Sequence, residues 1–401
     1  MFLPAMNRVL GTAMLMLLST TAAWSGSYRV LHNFQEHSLT PGSGLVVDGA
    51  GNGYGTTLFG GINDAGAVYQ ISPSSGFHVI YGFSGPDGAQ PQGNLAIDAA
   101  GNLYGTTTNG GSCCGTVFRL SPPTNGGPWT ETVLYNFAGG DDGAIPEAGV
   151  ILDSSGNLYG TAATGGRDFC GVVFSLTPSG SDQWTENVLH EFTGDGCFPT
   201  SSLIFDSSGN LYGTTRLNGV WGGGTVFQLS PGAGGSWTHN VIHEFNPNLR
   251  DGVQSTAALV FDAAGNLYGT TESGGAFNYG IVFELSPNSG DWTESILHHF
   301  GSGTDGADPR ASLIFDRAGN LLGTTYGGGV GGTNSGTVFE LTPGLDGRWT
   351  ETVLVSFGRF KQGKRGAQPS APLLLDSAGR IYGTTVGGGT DNRGVIFRIT
   401  P

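Results

Sequence analysis

Apolar residues run in short bursts along nearly the whole chain, and Gly-, Asn-, Asp-, Ser- and Pro-rich breaks separate them. Four kinds of burst follow one another in a fixed order. SLIFD (202–206) represents the first and LYGTT the second, while GTVFELTP (336–343) and WTETVLYNF (129–137) represent the third and fourth. All are rich in Val, Ile, Leu, Phe, Tyr and Thr, and the breaks are made of turn formers. The pattern therefore predicts β-strands joined by tight turns. No 3.6-residue periodicity is visible after residue 23, so no helix is expected there.

One phrase marks the second strand of every unit: GNGYGTT (51–57), GNLYGTT (101–107), GNLYGTA (156–162), GNLYGTT (209–215 and 265–271), GNLLGTT (319–325) and GRIYGTT (379–385). Asp48, Asp98, Asp153, Asp206, Asp262, Asp316 and Asp376 each stand three residues before it. The intervals of 50 to 60 residues lie in the range of propellers, solenoids and arrays. In the turn DxxGN, Asp can cap the amide two residues on and Gly permits positive φ, which gives a bulge-type hairpin. Four such strands make a sheet with two apolar faces, which is not stable alone. Seven sheets packed face to face around an axis bury one another. The expected fold is all-β: a seven-bladed β-propeller with four antiparallel strands per blade.

The strand count says how the ring closes. The third kind of run occurs seven times, ending with 394–401, but the fourth kind follows only six of them, at 77–83, 129–137, 184–192, 237–245, 292–300 and 349–357. The missing run is at the other end of the chain. YRVLHNF (28–34) matches WTENVLHEF (184–192) in its V-L-H-x-F core, so the N-terminal strand 28–34 should join the last blade.

Composition narrows the class. Gly makes up 73 of 401 residues without a Gly-X-Y period, and 38% apolar residues with 10% aromatics can build a core. The net charge of -15 repels phosphates and anionic membrane surfaces, so neither nucleic acid nor a membrane surface is an expected partner. Arg8, an apolar run over residues 9–20 and the small residues of Thr21-Ala22-Ala23 read as a secretory signal peptide, residues 1–23. That run is too short to span the roughly 30 Å of a bilayer core. Residues 24–401 should form one domain, exported and monomeric, with no cofactor.

The full phrase DxxGNLYGTTxxGGxxxxGTVFxLTP resembles the bacterial GloVer tandem repeat of choice-of-anchor secreted proteins, across nearly all of residues 28–401. The DxxGN hairpin is also similar, in architecture alone, to that of NHL-type propellers. The first resemblance implies export and a repeated β-architecture and carries no catalytic residue. The family's name implies variable C-terminal sorting segments. The chain ends at Pro401 in a strand-like run, so surface attachment through such a segment is not expected.

Repeated residues serve the fold first. The seven Asp residues read as turn caps, since calcium loops need several oxygen ligands at close spacing. Gly pairs such as Gly110-Gly111 and Gly165-Gly166 lead into no helix and carry no Lys-Ser/Thr ending, so they are not phosphate loops. Trp129, Trp184, Trp237, Trp292 and Trp349 share one strand position and read as packed hairpin corners, with sugar stacking as the alternative. His32, His190, His243 and His298 share another, without ligand-type spacing, and no metal site is assigned.

Function should sit where the repeat breaks. The residue after each GTT position is Leu58, Thr108, Ala163, Arg216, Glu272, Tyr326 and Val386, which varies while its neighbours do not. It should point to the face formed by the second-to-third strand loops and the blade linkers. The candidate binding residues on that face are Arg167, Arg216, Trp221, Phe277, Tyr279, Tyr326 and Arg393, because aromatics and Arg favour binding sites. The linker RFKQGKRGAQP (359–369) carries Arg359, Lys361, Lys364 and Arg365 where others carry Asp; it reads as solvated, with an anionic polymer as the alternative. Cys170 and Cys197 are the preferred disulfide pair, leaving Cys113 and Cys114 joined to each other or free. No catalytic residues are assigned, since no GxSxG elbow or catalytic Cys/His context exists. The expected function is a non-catalytic extracellular binding module for a glycan or an envelope protein. A polymer-active hydrolase or lyase on the same face and a purely structural envelope protein are the alternatives.

Overall fold

The computed structural model describes residues 26–35, 40–124, 126–180, 182–301, 303–330, 334–358 and 365–401. The predicted signal peptide and most of the basic linker lie outside these residues. Seven antiparallel sheets form blades 1 to 7: residues 46–82, 96–136, 151–191, 204–244, 260–299, 314–356, and 374–400 with Ser27–Asn33. Blade 4 shows the common plan. A two-residue inner strand, Ile204–Phe205, pairs with Leu211–Thr215; then come Thr225–Pro231 and the outer strand Trp237–Glu244. In blade 1 the linker segment Thr40–Pro41 adds one more short pairing. The described residues contain no α-helix, only the 3-10 turns Ile62–Asp64, Ala233–Gly235 and Pro247–Leu249.

The repeated residues make repeated contacts. In the first turn, Asp48 Oδ1 accepts from Ala50 N–H and Asn52 N–H, both at 2.9 Å, and Oδ2 accepts from the Asn52 amide at 2.8 Å and the Tyr54 hydroxyl at 2.9 Å. The other six Asp residues cap the same two amides, and Arg380 replaces the Asn side chain at Asp376. Each Asp thus caps its own turn.

Glycine in the GTT motif has a steric cause. A Cβ at Gly213 would sit 2.6 Å from Cζ of the Phe227 ring. That ring also meets Phe192 of the preceding blade edge-on, with centroids 5.2 Å apart. The same T-shaped pair recurs at each joint, from Phe83–Phe118 to Phe357–Phe397, and wholly buried Phe residues form the core between blades.

The first Thr of the motif stitches blades together. Thr106, Thr161, Thr214 and Thr270 donate through Oγ1 to a backbone carbonyl of the next blade, at 2.8 to 3.4 Å. Trp129, Trp237, Trp292 and Trp349 are half-buried, edge-on to Tyr54, Tyr159, Tyr212 and Tyr268 of the preceding blade. Their role is inter-blade packing, with the partner in another sheet and not within their own hairpin.

The N-terminal strand closes the ring as predicted. Tyr28 pairs with Ile399, Val30 with Phe397 and Asn33 with Val395. Every outer strand carries a β-bulge at one Leu or Ile, and Leu31 supplies it here as Leu189 does in blade 3. Across the closing joint, Thr384 Oγ1 donates to Ser43 O at 3.0 Å.

Candidate functional site

The linkers and the second-to-third strand loops share one face, joined by backbone pairing such as Ala307 with Gly327 and Ala144 with Thr164. The linkers into blades 2 to 7 each turn inward at a non-Gly residue with positive φ: Gln90, Ile145, Phe198, Gln254, Asp308 and Gln368. That conformation costs about 1–2 kcal/mol for an L-residue. Two backbone hydrogen bonds offset it, at about 1 kcal/mol each. Asp308 N–H donates to Tyr279 O of the preceding blade at 2.9 Å, and Asp308 O accepts from Tyr326 N–H at 2.9 Å. The turn therefore fixes two side chains per blade at the axis: the one after the linker turn and the one after the GTT motif.

Together these positions line the mouth of the central channel, a cavity of about 420 Å³. Leu58, Arg216, Glu272, Tyr326 and Val386 face it, whereas Thr108 and Ala163 are buried instead. A second variable tier joins them: Gly42, Gln92, Glu147, Thr200, Thr256, Arg310 and Ser370, one per blade and, except Thr256, directly after a linker Pro. Sequence reasoning missed this tier, although its residues vary beside a constant Pro just as the first tier varies beside GTT.

Polar chemistry is concentrated on the wall made by blades 3 to 6. Arg310 grips Asp308 through two bonds, Nε to Oδ1 at 3.1 Å and Nη2 to Oδ2 at 2.8 Å, and its guanidinium lies 4.3 Å from the centroid of the Tyr326 ring. Glu272 accepts from Thr256 Oγ1 at 3.1 Å and faces Arg216 at 3.5 Å and Arg310 at 3.9 Å. Burial pushes the Glu147 carboxyl up; Glu272 adds to this and Arg216 opposes it. The opposite wall, with Pro41, Leu58, Pro372 and Val386, carries no charge.

Of the residues singled out in the sequence, Arg216 and Tyr326 meet at this mouth. Arg167, Trp221, Phe277, Tyr279 and Arg393 do not line it; they are exposed on the outer loops of the same face, with Phe169 and Val220 beside them. Cys170 is bonded to Cys197, tying the loop of blade 3 to the next linker, and Cys113 is bonded to Cys114.

No helix among the described residues is long and apolar enough to cross a membrane. No curated protein matches the chain. Among solved structures, a Dyadobacter fermentans protein of unknown function is similar at 9% identity, over 93% of this chain and 99% of its own, with a TM-score of 0.47. A Bacteroides uniformis protein described as a putative 6-phosphogluconolactonase is similar at 16% identity, over 78% of this chain and 84% of its own, with a TM-score of 0.51; the likeness is one of fold. The Gloeobacter/Verrucomicrobia repeat matches residues 17–219 and again 199–401. With that match over nearly its whole length, the chain belongs to the Gloeobacter/Verrucomicrobia repeat family, here folded as a seven-bladed β-propeller.

Proposed function

We propose that this is an exported, monomeric, non-catalytic binding module whose ligand enters the channel mouth. One observation carries the reading. Seven near-identical blades diverge in chemistry at the two positions that meet at the axis, and there the divergence gathers Arg216, Arg310, Glu272, Glu147 and Tyr326 on one wall. A rigid frame with charge and one aromatic ring on one side and apolar residues on the other suits a polyhydroxylated or charged extracellular ligand, such as a glycan or an envelope protein segment. The exposed aromatics Trp221, Phe277 and Tyr279 extend the same face for a long ligand.

Glycan-array and envelope pull-down binding by residues 24–401 tests this. Arg216→Ala and Tyr326→Ala should each weaken binding by about tenfold or more, as expected for loss of a central contact. Equal binding by both variants would overturn the reading. One observation favours a hydrolytic alternative: Glu147, whose carboxyl burial pushes up, lines the same mouth as Glu272 and Arg216. Turnover of a labelled polysaccharide that vanishes in Glu147→Gln would replace binding with catalysis.

A further inference from the structure

We propose that the joint between blades 3 and 4 binds one divalent transition-metal ion of the zinc class, held by His190, Asp195 and His239. Five joints place the same three repeat positions together: the residue after the outer-strand bulge, a linker Asp, and a residue of the next outer strand. At four of them the trio is Tyr81–Asp87–Glu131, Tyr135–Asp142–Glu186, His243–Asp251–Glu294 and His298–Asp305–Glu351. Each of these pairs two carboxylates with one other group. At the joint of blades 3 and 4, His239 replaces the Glu, so two imidazoles converge on one carboxylate.

The geometry is close to that of a coordination site. His190 Nε2 lies 2.9 Å and His239 Nδ1 lies 3.1 Å from the same oxygen, Asp195 Oδ2. The two rings stack face to face, 3.9 Å apart between centroids and 6° from parallel, and the three donor atoms lie within 4.8 Å of one another. Metal–ligand bonds of about 2.0–2.1 Å at tetrahedral angles set donor atoms roughly 3.3 Å apart. An imidazole binds a metal in its own ring plane, so rotation of one ring out of the stack, with the donor atoms kept near their present spacing, lets both nitrogens and Asp195 Oδ2 hold one ion. Two neutral nitrogens and one carboxylate suit zinc, copper or nickel better than magnesium or calcium. The three side chains remain partly exposed, so water can complete the shell.

The carboxylate is held in advance. Asp195 Oδ1 accepts from Thr193 N–H at 2.9 Å, which turns Oδ2 to the imidazoles. Two residues further on, Cys197 is bonded to Cys170, and its N–H donates to Leu217 O at 2.8 Å, so the linker is tied on both sides. Phe192 closes one side of the site with its ring edge-on to both imidazoles.

The repeat supplies its own control. His239→Glu recreates the His–Asp–Glu trio found at the next two joints, so the variant should fold. Untagged residues 24–401, stripped with chelator, are titrated with Zn²⁺ by calorimetry, and Co²⁺ absorption reports the coordination. We expect one ion per chain at micromolar affinity or better, a tetrahedral or five-coordinate Co²⁺ spectrum, and a raised melting temperature on loading. His239→Glu should lose affinity at least 100-fold while melting like the wild type in chelator; His243→Gln, at the neighbouring joint, should bind normally. No saturable binding by the wild type, or unchanged affinity in His239→Glu, would overturn the proposal.

Discussion

Phe34 meets Tyr69 edge-on, with ring centroids 5.6 Å apart, and both rings are wholly buried. Phe34 belongs by hydrogen bonding to the last blade, where its N–H donates to Gly394 O at 3.2 Å, while Tyr69 sits in the first. The pair is the closing copy of the Phe–Phe contact made at the other six joints. Without it, blades 1 and 7 would each expose one apolar face.

Phe34→Ala should therefore destabilise the protein like any core truncation, by about 3–5 kcal/mol. Removing residues 26–35 should cost more, since it also uncovers Phe397 and Ile399. Urea denaturation of both variants checks this. A loss below about 1 kcal/mol for Phe34→Ala would show that the ring does not depend on its latch.

Gly383→Ala tests the cause of the glycine in the GTT motif. The added methyl would lie 2.5 Å from Cζ of Phe397, which Phe357 holds from the other side. The ring cannot retreat without disturbing that joint, so the expected cost is about 1–3 kcal/mol, the usual range for overpacking. Gly379→Ala makes a useful contrast. Nothing surrounds its Cβ, so any loss there comes from its φ of 78° alone.

The inter-blade glutamates predict an acid-side stability optimum. Burial, and after it the charge of a linker Asp, raises the carboxyls of Glu131 and Glu186 to about 7. Glu351 is raised to about 7 in the same way, with His298 opposing. A folded-state pKa above the unfolded value means that the native protein binds the extra proton. Their stabilising effect is complete below pH 4.5 and is lost as pH rises through 7. The turn carboxyls, such as Asp48, oppose this at lower pH: burial acts against ionisation, but bonds from Asn52, Tyr54 and Ala50 hold the pKa below its usual value. Melting temperature should fall between pH 5 and 8 as the free energy of unfolding drops by at most about 1.4 kcal/mol per pH unit per proton, less for water screening. The triple variant Glu131→Gln, Glu186→Gln, Glu351→Gln should flatten that slope. An unchanged profile would place the responsible groups elsewhere.

Why the ring was legible before the site was can be read from these residues. Asp48, Gly213 and Phe227 recur because each copy must make one identical local contact, so period and strand order stand out. The V-L-H-x-F core, whose Leu31 is the bulge residue, made YRVLHNF recognisable as an outer strand at the other end of the chain. The axis residues obey a different logic. Glu147 and Arg310 follow left-handed turns at Ile145 and Asp308, which carry no alternating signature. His190 and His239 belong to consecutive blades, where their rings stack and share a linker Asp. Trp237 was placed on the right strand, but its partner, Tyr159, is in another sheet. Contacts within a hairpin show up as spacing; contacts between blades need the ring geometry.

The two disulfides should differ sharply in what they hold. Cys170–Cys197 spans 27 residues and closes a loop that includes an outer strand and a linker turn. Constraining a loop of that size stabilises the fold by about 3 kcal/mol in the chain-entropy view. Cys113–Cys114 joins adjacent residues, so it removes almost no freedom from the unfolded chain. Cys170→Ser with Cys197→Ser should therefore lower stability by about 3 kcal/mol, while Cys113→Ser with Cys114→Ser should change it by less than about 0.5 kcal/mol. Hydrogen exchange locates the effect. Protection at Cys197 and Phe198, whose amides donate to Leu217 and Cys170 carbonyls, should fall in the first variant and persist in the second. Equal losses in the two variants would mean that the cysteines act through packing in their loops and not through the length of chain they tie.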